Sequence, residues 1–190
     1  MWSELRPAVL ITVLLTIVTG LIYPLVVTGL ASVLFPYRAG GSLIVRNGSV
    51  IGSELIGQNF SGVRYFHSRP SAAGDKGYDP LSSGGSNLEP IDRRLVDRVQ
   101  RTAAELRAEN PAAPIPVDLV TTSGSGLDPH ITPAAAAFQV ARVARARGVP
   151  EAQIRALVHR STEGRQLGVL GEARVNVLRL NLALDALAPR

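Results

Sequence analysis

The longest feature of the hydrophobic pattern runs from Pro7 to Pro36, a stretch with no charged residue and dense in Leu, Ile and Val. A bilayer core is roughly 30 Å thick and takes about 20 apolar helical residues to cross. The pattern predicts one membrane-spanning helix, and no second stretch qualifies. A cleaved signal peptide is the competing reading. Its apolar core would be about 7–15 residues, followed by a small-x-small cleavage site. Leu34-Phe35-Pro36 closes the run without such a site. The chain therefore divides into an anchor, 1–37, and one water-facing domain, 38–190. Pro24 lies inside the run and removes a backbone donor, which predicts a kink that membrane helices tolerate. Gly20 and Gly29, with Thr12, Thr16, Thr19, Thr28, Ala31 and Ser32, are small or hydroxylic and let a neighbouring helix approach. Gly20, Pro24 and Gly29 are thus candidate partner-contact positions.

Beyond the anchor the pattern changes period. Leu43-Ile44-Val45 and Val50-Ile51 flank Asn47-Gly48, the dipeptide suited to a tight hairpin turn. Val63 to His67 predicts another strand. Residues 68–87 are rich in Ser, Gly, Pro and Asp and predict a long irregular loop. From Asn87, the positions Leu88, Ile91, Leu95, Val99, Ala103 and Leu106 recur at helical steps. Val117 to Thr121 fits a strand, and Thr122 to Pro129 a second Gly/Ser loop. Thr132-Pro133 reads as a cap and first residue of a helix that Gly148 ends. Pro150 opens another helix. A short strand is expected near Leu167-Gly168-Val169, and a last helix over about 175–187. Early strands and late helices give an α+β class for the domain.

Composition narrows the partners. The net charge is +5, and Lys76 is the one lysine among the twenty basic residues. This is mild basicity spread over helices, without the clustered stripe and aromatic platforms that nucleic acid requires. It suits lipid headgroups or an acidic partner surface. Cysteine is absent, so there is neither a disulfide framework nor a thiol metal site. Arg6 and the terminal amine on one side of the anchor nearly balance Arg38 and Arg46 on the other, so charge does not set orientation.

The candidate chemistry is thin. Ser123, Ser125, Asp128 and His130 are crowded in sequence, but Ser123-Gly124-Ser125-Gly126-Leu127 lacks the first glycine of a nucleophile elbow. A membrane-anchored hydrolase and a generic adaptor remain the alternative functional classes. The three histidines are far apart and not at metal-ligand spacing, so no metal site is expected. No phosphate loop is present, because the required glycine–lysine spacing is absent. Ser82, Ser83, Gly84, Gly85, Ser86 and Asn87 are the candidate anion or nucleotide loop, with N–H groups near the start of the following helix. A tight bend before a capped helix explains the same residues. Asp128, Pro129 and His130 belong to a proline-fixed corner that reads as a preformed contact surface. Asp75, Asp79 and Asp128 are candidates for raising cation concentration locally.

Several long motifs occur in one order. They are Tyr65-Phe66-His67-Ser68-Arg69-Pro70-Ser71, Tyr78-Asp79-Pro80 with Ser82 to Leu88, and Thr122 to Ile131. Thr162-Glu163-Gly164-Arg165, Arg174-Val175-Asn176-Val177 and Leu180 to Asp185 follow. Behind one N-terminal anchor, this series closely resembles the KdpC family, the C subunits of bacterial Kdp potassium-transporting ATPases. Two places depart from the family pattern: Glu89-Pro90-Ile91-Asp92, usually small-Pro-polar-Asn, and Ala173, often Pro. The resemblance implies a non-catalytic, single-pass subunit of the cytoplasmic (inner) membrane with its domain outside. It implies KdpA, KdpB and KdpF as partners. It also implies assistance to the ATP-hydrolysing KdpB, through a ternary complex with ATP that raises its nucleotide affinity. The residues themselves show no intrinsic cofactor. ATP is implied by resemblance alone, and cytosolic ATP does not reach an external domain.

Overall fold

The computed structural model describes residues 2–187. Met1 and 188–190, the outer ends of the expected anchor and domain, lie outside the described residues. Two compact units divide the chain, one up to Ser53 and one from Glu54.

The first unit begins with a continuous helical run, Trp2–Leu34, long and apolar enough to cross a membrane. It comprises α1 (Trp2–Ile17), a π-helical turn (Val18–Ile22) and α2 (Tyr23–Leu34). The expected disturbance at Pro24 takes the form of this widened turn. The proline ring would clash with the carbonyl four residues back, and the π turn opens that space. A short helix, α3 (Pro36–Ala39), follows. β1 (Leu43–Arg46) and β2 (Ser49–Ser53) then pair antiparallel. Asn47 (φ 53°) and Gly48 (φ 78°) both occupy the left-handed region, as the predicted two-residue turn demands.

The second unit is centred on α5 (Pro133–Arg147), flanked by α6 (Glu151–Arg160) and α7 (Val177–Leu187). The hydroxyl of Thr132 accepts the Ala135 N–H, and Gly148 (φ 67°) ends α5. Ala135, Ala136, Phe138, Val140 and Val143 of α5 are buried, against Ile154 of α6 and Leu180 and Leu184 of α7. A small antiparallel sheet has the order β3–β5–β4, from β3 (His130–Ile131), β4 (Thr162–Glu163) and β5 (Arg174–Asn176). The domain is therefore α+β, but its sheet comes from late segments of the chain.

Four expectations are corrected. The helix expected from Asn87 is α4, Arg93–Glu109, capped by Asp92. Asn87 has φ 50° and leaves the helical path, and Pro90 keeps Glu89 extended. No residue of α4 is buried. Val117–Leu119 is a 3₁₀ turn, not a strand, because the buried Asp118 carboxylate accepts the Thr132 N–H (2.7 Å) and hydroxyl (3.1 Å). Leu167 (φ 53°) and Gly168 (φ 77°) form a turn at the tip of a loop, closed by the Gln166–Leu170 bridge. Val63–His67 is not a strand either: Val63 and Arg64 lie in a turn closed by the Tyr65 N–H on Gly62 O (3.0 Å), and Phe66 and His67 are bonded by side chains.

Candidate functional site

Two carboxamides stand in for a missing strand. Asn181 Oδ1 accepts the Phe66 N–H (2.9 Å) and its Nδ2 donates to the Phe66 carbonyl (2.9 Å). Gln139 does the same for His67, accepting at 2.8 Å and donating at 3.2 Å. Both are almost fully buried, at 1% and 2% exposure for Gln139 and Asn181. Buried backbone groups require partners. These amides satisfy Phe66 and His67 from one face of α7 and one of α5.

Two arginines of α5 complete the clamp. Arg142 donates to the carbonyls of Val63 (2.7 Å) and Tyr65 (2.9 Å) and pairs with Glu109 at 2.9 Å. Arg147 donates to Arg64 O (2.8 Å), pairs with Asp185 (2.7 Å) and lies 4.9 Å over the Tyr65 ring.

The clamped segment leads into the predicted loop 68–87, which is ordered by its own side chains. The Ser71 hydroxyl donates to Gly126 O (2.6 Å) and accepts N–H bonds from Ala73 (3.1 Å) and Tyr78 (2.7 Å). The Tyr78 hydroxyl donates to the Arg69 carbonyl. Burial pushes this phenol's pKa up, against a lowering hydrogen bond with Ser68.

Loop 82–87 meets loop 122–129 directly. The Gly84 N–H (2.8 Å) and the Ser83 hydroxyl (3.1 Å) both donate to Ser125 O. Gly126 (φ 68°) sits at the crossing. A Cβ there would fall 2.6 Å from Gly84 O and 2.8 Å from Ala73 N, so only glycine fits.

At the other side of the crossing, Arg69 reaches Asp128 (3.4 Å), the Thr121 hydroxyl (3.4 Å) and Thr122 O (3.2 Å). Asp128 also accepts the His130 N–H at 2.9 Å and lies 3.4 Å from His130 Nδ1. Burial acts to raise the Asp128 pKa. Hydrogen bonds from the His130 ring and backbone, with the charges of His130 and Arg69, overcome it and hold the carboxyl below its ordinary value.

The predicted site residues fall as follows. Ser82 donates to Asp79 (3.0 Å), which also accepts the Leu81 N–H (2.9 Å). The Ser82–Asn87 loop is separated from the start of α4 by the turn at Glu89–Asp92, and the Arg94 N–H is taken by Asp92. Asp128 and His130 are half-buried, while Pro129 is buried and its carbonyl accepts the Val177 N–H at 3.0 Å. Gly20, Pro24 and Gly29 lie in the helix of the first unit. Ser123 and Ser125 are not brought to His130: Ser125 Oγ accepts the Leu127 N–H, and the His130 ring faces Asp128. Asp79 is taken up by Ser82 and Leu81 and Asp128 by Arg69 and His130, and among the described residues no three His, Asp or Glu side chains could hold a metal ion.

A cavity of about 450 Å³ lies beneath α4, lined in part by Phe60, His67, Tyr78, Leu106, Glu109 and Gln139. Burial and then the Arg142 charge push the His67 pKa down, against the Gly62 carbonyl and Glu109. The surroundings thus favour the neutral imidazole beside the clamp.

Sequence reasoning missed Gln139, Asn181, Arg142 and Arg147. A signal existed for the amides, since each is a lone polar residue on an apolar helix face. The arginines gave none, because arginine on a helix reads as solvated surface.

The arrangement is a mutually braced loop surface. The family described as the c chain of the K⁺-transporting ATPase matches residues 5–186. The chain belongs to the KdpC family. It is 62% identical to the potassium-transporting ATPase KdpC subunit of Rhodopseudomonas palustris (strain TIE-1), over the full length of both. Identity to the subunit of Koribacter versatilis (strain Ellin345) is 59%, covering all of this chain and 97% of the relative. The subunit of Methylobacterium nodulans is 57% identical over 99% of each. The braced motifs 65–71, 78–88 and 122–131 are those that carried the resemblance, so the KdpC likeness and the loop scaffold coincide.

Proposed function

We propose that this chain is a non-catalytic subunit of a KdpFABC potassium-uptake complex. It is held in the cytoplasmic membrane by its one apolar helix, with the domain on the outer side, beside KdpA, KdpB and KdpF. It stabilises the assembly and assists the ATP-hydrolysing KdpB by raising its ATP affinity. The observation that supports this reading is the use of the site's polar groups. The side chains of Ser71, Ser83, Asp79 and Asp128 are spent on bracing loops, as a docking platform requires and a turnover site does not. Asp128, Pro129 and His130 form the contact corner of that platform, and Gly20, Pro24 and Gly29 the contact positions in the membrane. Assistance to KdpB passes through the assembled subunits. A nucleotide held at Ser82–Asn87 is the competing form, and it requires that loop to face the cytosol.

The test is to extract the tagged full chain from membranes and identify what accompanies it. KdpA, KdpB and KdpF are expected, and loss of the chain should raise the KM for ATP of the remaining complex. Recovery with none of these subunits would overturn the proposal. Photo-labelling with an azido-ATP separates the two forms: label on KdpB alone supports the first, and label within Ser82–Asn87 the second.

A further inference from the structure

The anchor helix carries a gap in its backbone ladder. In the π turn the Tyr23 N–H bonds to Val18 O. Ile22 is the cap of α2, so its carbonyl takes the first bond of that helix. Between them lie the carbonyls of Thr19, Gly20 and Leu21. The only backbone positions left to serve them are Pro24, which has no N–H, and Leu25. One donor thus faces three acceptors. The nearby hydroxyls are turned the other way: Thr16 donates to Thr12 O (2.8 Å) and Thr19 to Leu15 O (2.7 Å).

In water such a gap is filled by solvent. Residues 19–21 instead lie near the middle of the apolar run Trp2–Leu34 and of the uncharged stretch Pro7–Pro36. At that depth hydrocarbon supplies no donor, and carbonyls freed at a proline are met by a neighbouring helix, a side chain or an ordered water held between helices. Trp2–Leu34 is the one candidate span among the described residues, so a helix that meets these carbonyls belongs to another chain. Gly20 leaves the approach open, with nothing within 4 Å of where a Cβ would stand.

We propose that the Thr19–Leu21 carbonyls are a docking site for a transmembrane helix of another subunit. That helix presents a Ser, Thr, Asn or Gln side chain as donor at mid-bilayer. The inference rests on the complex proposed above and names the chemistry by which the anchor is held in it. A second copy of this chain fits less well, since its threonines at this depth, Thr16 and Thr19, already donate within their own helix.

The test uses the complex purified with the full-length chain. Pro24→Ala restores the missing N–H and lets the ladder close, and Gly20→Leu blocks the approach. Each should weaken retention of the chain with the other subunits roughly three- to tenfold, while it remains integrated in the membrane. Val9→Leu, far from the turn, should retain them like the wild type. A photo-crosslinking amino acid at Leu21 should form an adduct with a transmembrane segment of another subunit. Adducts only with lipid or with a second copy, or wild-type retention in both Pro24→Ala and Gly20→Leu, would overturn the proposal. If the wild-type chain instead comes out of the membrane without transporter subunits, it is the parent reading that fails.

Discussion

The hairpin Leu43–Ser53 and the segment Val63–His67 are both β-prone in sequence, yet they are satisfied in opposite ways. In the hairpin, β1 finds its partner two residues later, and the turn residues Asn47 and Gly48 themselves supply the geometry. In Val63–His67 the chain first closes a turn, Tyr65 N–H to Gly62 O at 3.0 Å, and the backbone of His67 and Phe66 then finds amide side chains 72 and 115 residues away. The difference teaches that a β-prone sequence and a strand are separate outcomes. Local chemistry decides the first, and the supply of partners decides the second.

The largest effect should come from breaking the remote partners. Asn181→Ala leaves the buried Phe66 N–H and C=O unmet and Gln139→Ala the half-buried pair of His67, and each unmet buried group costs about 1–3 kcal/mol. Each variant should lose about 3 kcal/mol in denaturant unfolding of the full chain in detergent. Asn181→Asp sets a carboxylate oxygen against the Phe66 carbonyl in a buried site and should cost at least as much as Asn181→Ala. Losses below about 0.5 kcal/mol would mean that water replaces the amides.

A smaller effect separates the two tight turns. Asn47-Gly48 and Leu167-Gly168 have nearly the same φ values, 53° and 78° against 53° and 77°. Asn is at ease there, whereas a bulky residue such as Leu is not. Asn47→Leu should therefore cost about 1 kcal/mol, and Leu167→Asn should gain about 0.5–1 kcal/mol. Leu167 is 90% exposed, so its side chain contributes no packing to offset the strain. Unfolding midpoints that move in the same direction for both variants would refute the pairing.

The smallest effect is the pH dependence of the clamped region. Stability rises with pH wherever the unfolded chain binds more protons. The folded pKa of His67 lies below 6.5 and that of Asp128 below 3.8. The contribution of His67 is complete above 6.5 and is lost as pH falls toward its lower folded value. That of Asp128 is complete above 3.8 and is lost as pH falls through its own folded value. Unfolding midpoints measured from pH 8 to 3 should fall in these two steps, and His67→Asn should remove the upper one.

The sequence by itself determined whatever rests on neighbours a few residues apart. The anchor follows from the absence of charge over Pro7–Pro36, the hairpin from Asn47-Gly48, and α5 from Thr132-Pro133 at one end and Gly148 at the other. Pro24 foretold a disturbed helix, though not the π turn, because a missing donor does not say how the backbone will absorb the loss. Only the tertiary structure decided the rest. α4 has an obvious apolar stripe and buries no residue, while α5 supplies much of the core. The Ser82–Asn87 and Ser123–Pro129 loops looked like separate candidates and turned out to brace one another through Gly84, Ser125 and Gly126. A hydrogen bond between residues 42 apart leaves no periodicity and no local spacing. It exists only once the helices have packed and brought its two ends within 3 Å or so.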